Sequence, residues 1–312
     1  MIFQTILLLG GIALLYMGSE WMVRGSSALA LSFSIRPVII GVTVVAFATS
    51  APELLVSLIA SVRGSSGVSL GNILGSNVAN MGLVLGASAL VKPQVVDRGL
   101  IRRELPFMLG VSLLFWGICL DGQIGRLDGI VLLGLLAAFL IMSIATARNR
   151  NHVTPDVTPQ RTSRVIAWQI CLILVGLAGL MAGANLIVNS AIFIAQRLGL
   201  SEIFIGLSIV AVGTSLPELA TSVVAGAKGE HDISIGNVVG SNIFNICMVM
   251  GSVGLFNPMA VDAGALQIKF AAMILLSVVL YLFCWTRYRI SRLEGACLFL
   301  GFILFITLSY YR

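Results

Sequence analysis

The sequence predicts an all-α integral membrane protein of ten transmembrane helices, built as two inverted five-helix repeats. Three observations carry this: an apolar composition, apolar stretches of bilayer length along the whole chain, and motifs that recur at one offset. The 312 residues are 58% hydrophobic and 10% charged, a balance that excludes a water-soluble domain. Alternating polar and apolar residues of the outer-membrane barrel type are absent, so helices are left to satisfy the backbone in hydrocarbon.

A helix needs about 20 residues to cross a core of roughly 30 Å. Ten stretches qualify, near 2–24, 37–61, 70–91, 103–120, 127–146, 166–194, 203–226, 235–256, 266–286 and 293–311. The first could be mistaken for a signal peptide, because "SSALA" at 26–30 resembles a cleavage site. No Lys or Arg precedes it and its apolar run is long, so it reads as a retained span. Between the fifth and sixth spans, "RNRNHVTPDVTPQRTSR" at 148–164 is charged and contains proline. It reads as a linker too short for a regulatory domain.

The repetition is gapless. "GVTVVAFATSAPELLVS" at 41–57 aligns with "GLSIVAVGTSLPELATS" at 206–222, and "VSLGNILGSNVANMGLVLG" at 68–86 with "ISIGNVVGSNIFNICMVMG" at 233–251, both at an offset of 165. Pro93 and Asp97 map onto Pro258 and Asp262, while "RLDG" at 126–129 meets "RLEG" at 292–295 at offset 166. The chain reads as one unit written twice, 1–147 and 165–312, with motif regions 41–86 and 206–251. Five is odd, so the second copy enters the membrane from the opposite side, as in transporters that work by alternating access.

The formal charge of +6 reports topology. Assigning the connections alternately to two sides collects 14 Lys and Arg on one side, among them Arg24, Arg36, Arg98, Arg148, Lys228 and Arg292, against 5 on the other. The positive-inside rule then places both termini outside the cytoplasm and the linker within it. A nucleic-acid partner has little support. The five cysteines, at unrelated spacings in or beside spans, suggest neither a disulfide framework nor a zinc site. Glu20 and Arg24, four residues apart at the end of the first span, predict a local ion pair.

Each copy sets a strip of oxygens on one helix face: Thr49, Ser50, Glu53 and Ser57, then Thr214, Ser215, Glu218 and Ser222. Pro52 and Pro217 cannot donate to the preceding turn, so each helix should kink and expose carbonyls at mid-membrane. Ser76 with Asn80, and Ser241 with Asn245, stand four residues apart and add amides. Hydroxyl, amide and carboxylate oxygens at one depth suit hard cations. The glycines around them read as helix packing, and Asn72, Asn77, Asn237 and Asn242 as interhelical hydrogen bonds. A glutamate at helix centre costs roughly 2.5–3.5 kcal/mol. Two, symmetrically placed beside hydroxyls and prolines, read as an ion site rather than as a structural pair.

"GTSLPEL", "ATSAPEL", "GNILGSNVAN" and "GNVVGSNIFN" resemble the two alpha-repeats of the sodium/calcium exchanger family, of the prokaryotic type, within the calcium:cation antiporter superfamily. The resemblance spans nearly the whole chain. It implies exchange of calcium for sodium or another cation at a central site. Carried over by position, that site comprises Ala46, Thr49, Ser50, Glu53, Ser76 and Asn80 with Ala211, Thr214, Ser215, Glu218, Ser241 and Asn245, the two alanines through their carbonyls alone. Some members have aspartate at one of the positions held here by Asn80 and Asn245, so a three-sodium stoichiometry does not carry over.

The reading is therefore a Ca²⁺/Na⁺ antiporter in a cell membrane, the prokaryotic plasma or inner membrane. A proton-coupled exchanger of the same fold is the alternative. No H-E-x-x-H motif or nucleophile–base constellation supports an intramembrane enzyme, and inverted repeats argue against a passive channel. The expected partners are the lipid bilayer and small cations. No cofactor and no obligate protein partner are inferred.

Overall fold

The computed structural model describes residues 2–147, 162–197 and 211–310. Most of the expected linker, and the first part of the expected seventh span at 203–210, lie outside the described residues. Those described are almost wholly helical. Helix α1 is Ile2–Phe33. A broken span follows, α2 Pro37–Thr49 and α3 Ala51–Val62, and then α4 Ser66–Val91, α5 Arg98–Asp121 and α6 Arg126–Ala147. The second half holds α7 Ser163–Arg197, a short turn at Ala211–Gly213, α8 Leu216–Lys228, α9 His231–Phe256, α10 Ala263–Arg287 and α11 Arg292–Tyr310. Eight of these are long and apolar enough to cross a bilayer, nine with the bent pair counted as one span. The one expected span missing from this count, the seventh, is described only from Ala211 on.

Burial sorts the helices by role. In α4 and α9, 78% and 89% of the most apolar stretch is buried, against 22–39% in the other unbroken spans. The two Gly- and Asn-rich helices therefore form the centre, and the uniformly apolar ones face outward, where lipid replaces protein as the apolar neighbour. Helices α1 and α7 have 32 and 35 residues, or about 50 Å at 1.5 Å per residue, longer than a bilayer core is thick. They pack on each other through glycine. A Cβ on Gly18 would stand 2.7 Å from the carbonyl oxygen of Gly176, and one on Gly176 would stand 2.6 Å from the amide nitrogen of Met22. Any larger residue would drive the backbones apart.

Two short strand pairs, which the all-helical expectation does not contain, tie the halves together. Gln94–Val95 pairs antiparallel with Arg289–Ile290, and Gln123–Ile124 with Met259–Ala260. The repeat offset converts one pair into the other. Only α5 separates Val95 from Gln123, so the pairs lie at opposite ends of that span. Repeat-equivalent strands therefore lie at opposite ends of the bundle, as an inverted second copy requires.

The Glu20–Arg24 ion pair forms at 2.7 Å, and it is not purely local: Lys228, at the end of α8, reaches the same carboxylate oxygen at 2.8 Å. Ser27 of α1 also donates to Glu230 at 2.9 Å. The cytoplasmic end expected for α1 is thus fastened to the helix that carries Glu218.

Candidate cation site

The site is assembled where two helices break. At Ser50 the backbone leaves the helical region (φ −82°, ψ 1°), and at Ser215 it does the same (φ −88°, ψ 6°). Pro52 and Pro217 then sit in the first turn of α3 and α8, where a missing N–H costs nothing. The first break bends the span by 42°. Each break gives its glutamate a new helix N-terminus, with Glu53 and Glu218 both in the first turn, at the positive end of the helix dipole.

Asn80 and Asn245 start wide π-helical turns, Asn80–Val84 and Asn245–Met250, and a third such turn, Gly41–Val45, ends just before Ala46. Wide turns of this kind disturb the regular ladder and recur at functional sites. The close approach of α9 to this third turn depends on Gly240, where a Cβ would lie 2.6 Å from both the Ala46 Cβ and the Val42 carbonyl oxygen.

Glu53 and Glu218 have no solvent exposure. The Glu53 carboxylate faces Thr214 and Ser76, and that of Glu218 faces Thr49 and Glu53. None of these reaches hydrogen-bonding geometry, and all four carboxylate oxygens are without a protein donor. The same holds for the hydroxyls of Ser50, Ser76, Thr214 and Ser215 and for the side-chain carbonyls of Asn80 and Asn245. Buried polar atoms in folded proteins are nearly always paired, and an unpaired buried charge costs several kcal/mol; elsewhere among the described residues the Glu104 carboxylate and part of the Arg36 guanidinium are also unpaired. Two neighbouring buried carboxylates with hydroxyls beside them, and further unpaired hydroxyl and amide oxygens on the same helices, are the kind of oxygen donor set that a hard cation takes.

Of the expected residues, Glu53, Glu218, Thr49, Ser76, Thr214 and Ser241 are brought together, with differences between the halves. Thr49 is engaged, 3.0 Å from the Asn237 amide oxygen and 3.3 Å from the Ser241 hydroxyl, whereas its counterpart Thr214 has no partner. The Ala46 carbonyl accepts from the Ser50 amide at 3.0 Å and from the Thr49 hydroxyl at 3.4 Å. The side chain of Ala211 lies outside the described set. Ser57 and Ser222, the last hydroxyls of each strip, turn away to accept from Asn72 and Asn237, each at 3.0 Å. Among the described residues no group of three or more His, Cys, Asp or Glu could hold a metal ion; Glu53 and Glu218 are the two acids among the expected site residues.

Helices broken beside buried, unpaired carboxylates, in a chain of repeated membrane-length helices, are the architecture of a secondary transporter of small cations. The sodium/calcium exchanger protein family matches residues 3–145 and 168–311, and the chain belongs to that family. It is 37% identical to the inner membrane protein YrbG of Escherichia coli strain K12, covering 100% of this chain and 98% of that one. It is 32% identical to the sodium/calcium exchanger MaX1 of Methanosarcina acetivorans, covering 98% of each. Among solved structures, the sodium-calcium exchanger NCX_Mj superposes with a TM-score of 0.86 at 34% identity, covering 98% of each chain. The chain is thus a multi-span membrane antiporter for cations of the Ca²⁺ type, and not an enzyme.

Proposed function

We propose that this protein exchanges Ca²⁺ for Na⁺ by alternating access, with Glu53 and Glu218 holding the ion between the two repeats. The observation that carries the reading is the pair of neighbouring buried carboxylates without protein donors, with Thr214 and Ser76 beside Glu53 and Thr49 beside Glu218. Thr49, Ser50, Ser76 and Asn80 from the first half, and Thr214, Ser215, Ser241 and Asn245 from the second, complete the shell, with the Ala46 and Ala211 carbonyls. One Ca²⁺ matches two carboxylates in charge, as do two Na⁺. The neutral oxygens beside each carboxylate favour Na⁺ over H⁺ as the coupling ion, because a partly dehydrated Na⁺ needs several ligands and a proton needs one.

In proteoliposomes, an inward Na⁺ gradient should drive Ca²⁺ out at fixed membrane potential. Ca²⁺ movement that follows a pH gradient and ignores Na⁺ would replace this reading with proton coupling. Two carboxylates flanked by amides rather than a third acid are what keeps that second reading open, since two protons balance the site as well.

The orientation belongs to the same proposal: inner membrane, as for the protein named YrbG, both termini outside the cytoplasm, halves 1–147 and 165–312, and the linker inside. Reporter fusions should give a cytoplasmic signal within 148–164 and none after Arg312. A cytoplasmic signal at the C-terminus would reverse the assignment.

A further inference from the structure

Asn77 and Asn242 lie one residue beyond Ser76 and Ser241, are buried to 0% and 1% exposure, and point across the repeat boundary. The Asn77 amide nitrogen donates to the backbone carbonyl of Asn242 at 3.4 Å and faces the Met273 sulfur at 3.6 Å. Neither acceptor can donate, so this end of Asn77 must be its NH₂. Its oxygen is then directed at Asn245, whose Nδ2 donates to it at 3.0 Å. That contact leaves the Asn245 oxygen on the other side, where it has no protein partner.

The second half repeats the chain of polarity. Asn242 directs its NH₂ at the Met108 sulfur at 3.6 Å and accepts from Asn80 Nδ2 at 3.1 Å. The Asn80 oxygen is again left unpaired.

We propose that Asn77 and Asn242 are positioning residues, which clamp Asn245 and Asn80 across the repeats so that both side-chain carbonyl oxygens face the transported cation. This rests on the central-site reading above. A side-chain amide has two nearly equivalent orientations about its last torsion, and the wrong one presents an NH₂ group to a cation. The clamp removes that choice in each half by means of a residue from the other half. A ligand of the second repeat is thereby oriented by the first, and the reverse. The methionines complete the device, since a thioether accepts only weakly and gives each clamp no competing donor.

The cross-wiring makes a prediction that a local packing role does not. Asn77 and Asn80 are neighbours on α4, as Asn242 and Asn245 are on α9, yet coupling is expected for 77 with 245 and for 242 with 80. In proteoliposomes, Asn77→Ala and Asn242→Ala should each raise the Ca²⁺ KM about tenfold, the size of one hydrogen bond, while the maximal rate falls less than threefold. Asn77→Ala/Asn245→Ala should stay within about twofold of Asn245→Ala alone, whereas Asn77→Ala/Asn80→Ala should multiply to about a hundredfold.

If 77 and 245 multiply as 77 and 80 do, the clamp is overturned and the ion site stands. If Asn80→Ala and Asn245→Ala each retain the wild-type KM, the amides are not ligands and the clamp falls with that part of the site. Should Asn77→Ala not yield monodisperse protein, the cycle on Asn242 and Asn80 decides between the same two outcomes. Asn77→Ser, which keeps a donor for the Asn242 carbonyl, supplies a milder variant for the first cycle.

Discussion

Glu53→Gln and Glu218→Gln should each abolish Ca²⁺ exchange while leaving the protein folded. An amide keeps the side-chain volume and removes one of the two charges that offset a divalent ion in a site with no solvent exposure. Breaking a buried charge pair costs about 3–5 kcal/mol, which is roughly 10²–10⁴-fold in binding, so flux should fall to background. Stability should move the other way or not at all. Both carboxylates lack a protein donor, and exchanging a buried, unpaired charge for a neutral amide relieves a desolvation cost. The measurement is radioactive Ca²⁺ uptake into vesicles, normalised to monodisperse protein, beside a melting curve of each variant. Wild-type flux in either variant would mean that the repeated glutamates serve packing. Lower yield and melting temperature, with residual flux in the protein that survives, would mark a structural pair.

The second large effect concerns charge movement. Two carboxylates and no third acid make the site neutral with one Ca²⁺ or with two Na⁺, so exchange should move no net charge across the membrane. A third Na⁺ would leave an excess positive charge in a low-dielectric site. Transfer of one elementary charge through 100 mV is worth about 2.3 kcal/mol, equivalent to about 50-fold in the final Ca²⁺ accumulation ratio. That ratio should be the same in vesicles held at 0 and −100 mV. A shift approaching 50-fold would show that a third Na⁺ is carried. Asn245→Asp adds a carboxylate at modest steric cost, so it should still bind Ca²⁺ but acquire a voltage dependence. Asn80→Asp should behave alike if the two halves are equivalent in this respect.

Much of this protein could be read from the sequence, because the signals are local or periodic. Length and apolarity set the spans; the α4 and α6 expected from 70–91 and 127–146 appear at Ser66–Val91 and Arg126–Ala147. The offset of 165 that aligns Glu53 with Glu218 also aligns the breaks at Ser50 and Ser215 and the wide turns at Asn80 and Asn245. A proline one residue before the glutamate announces the break, since its physical cause lies within a single turn of helix.

What depended on the tertiary structure involves residues far apart in sequence. Glu20 and Arg24 predict each other, but nothing near them predicts Lys228 on the same oxygen. The two strand pairs join segments too short to carry a strand signal. Ser57 looks like Thr49 and Ser50 on a helical wheel, and only the position of Asn72 shows that it turns from the site. Asn77 and Asn80 are chemically identical three residues apart. Their different roles come from partners in the other half: Asn77 donates to the Asn242 carbonyl, 165 residues away, and accepts from Asn245, whereas Asn80 donates to the Asn242 side chain. A sequence determines which groups are present and their spacing along one helix; the direction of a side-chain amide depends on which partner it meets, and that partner is brought by the fold.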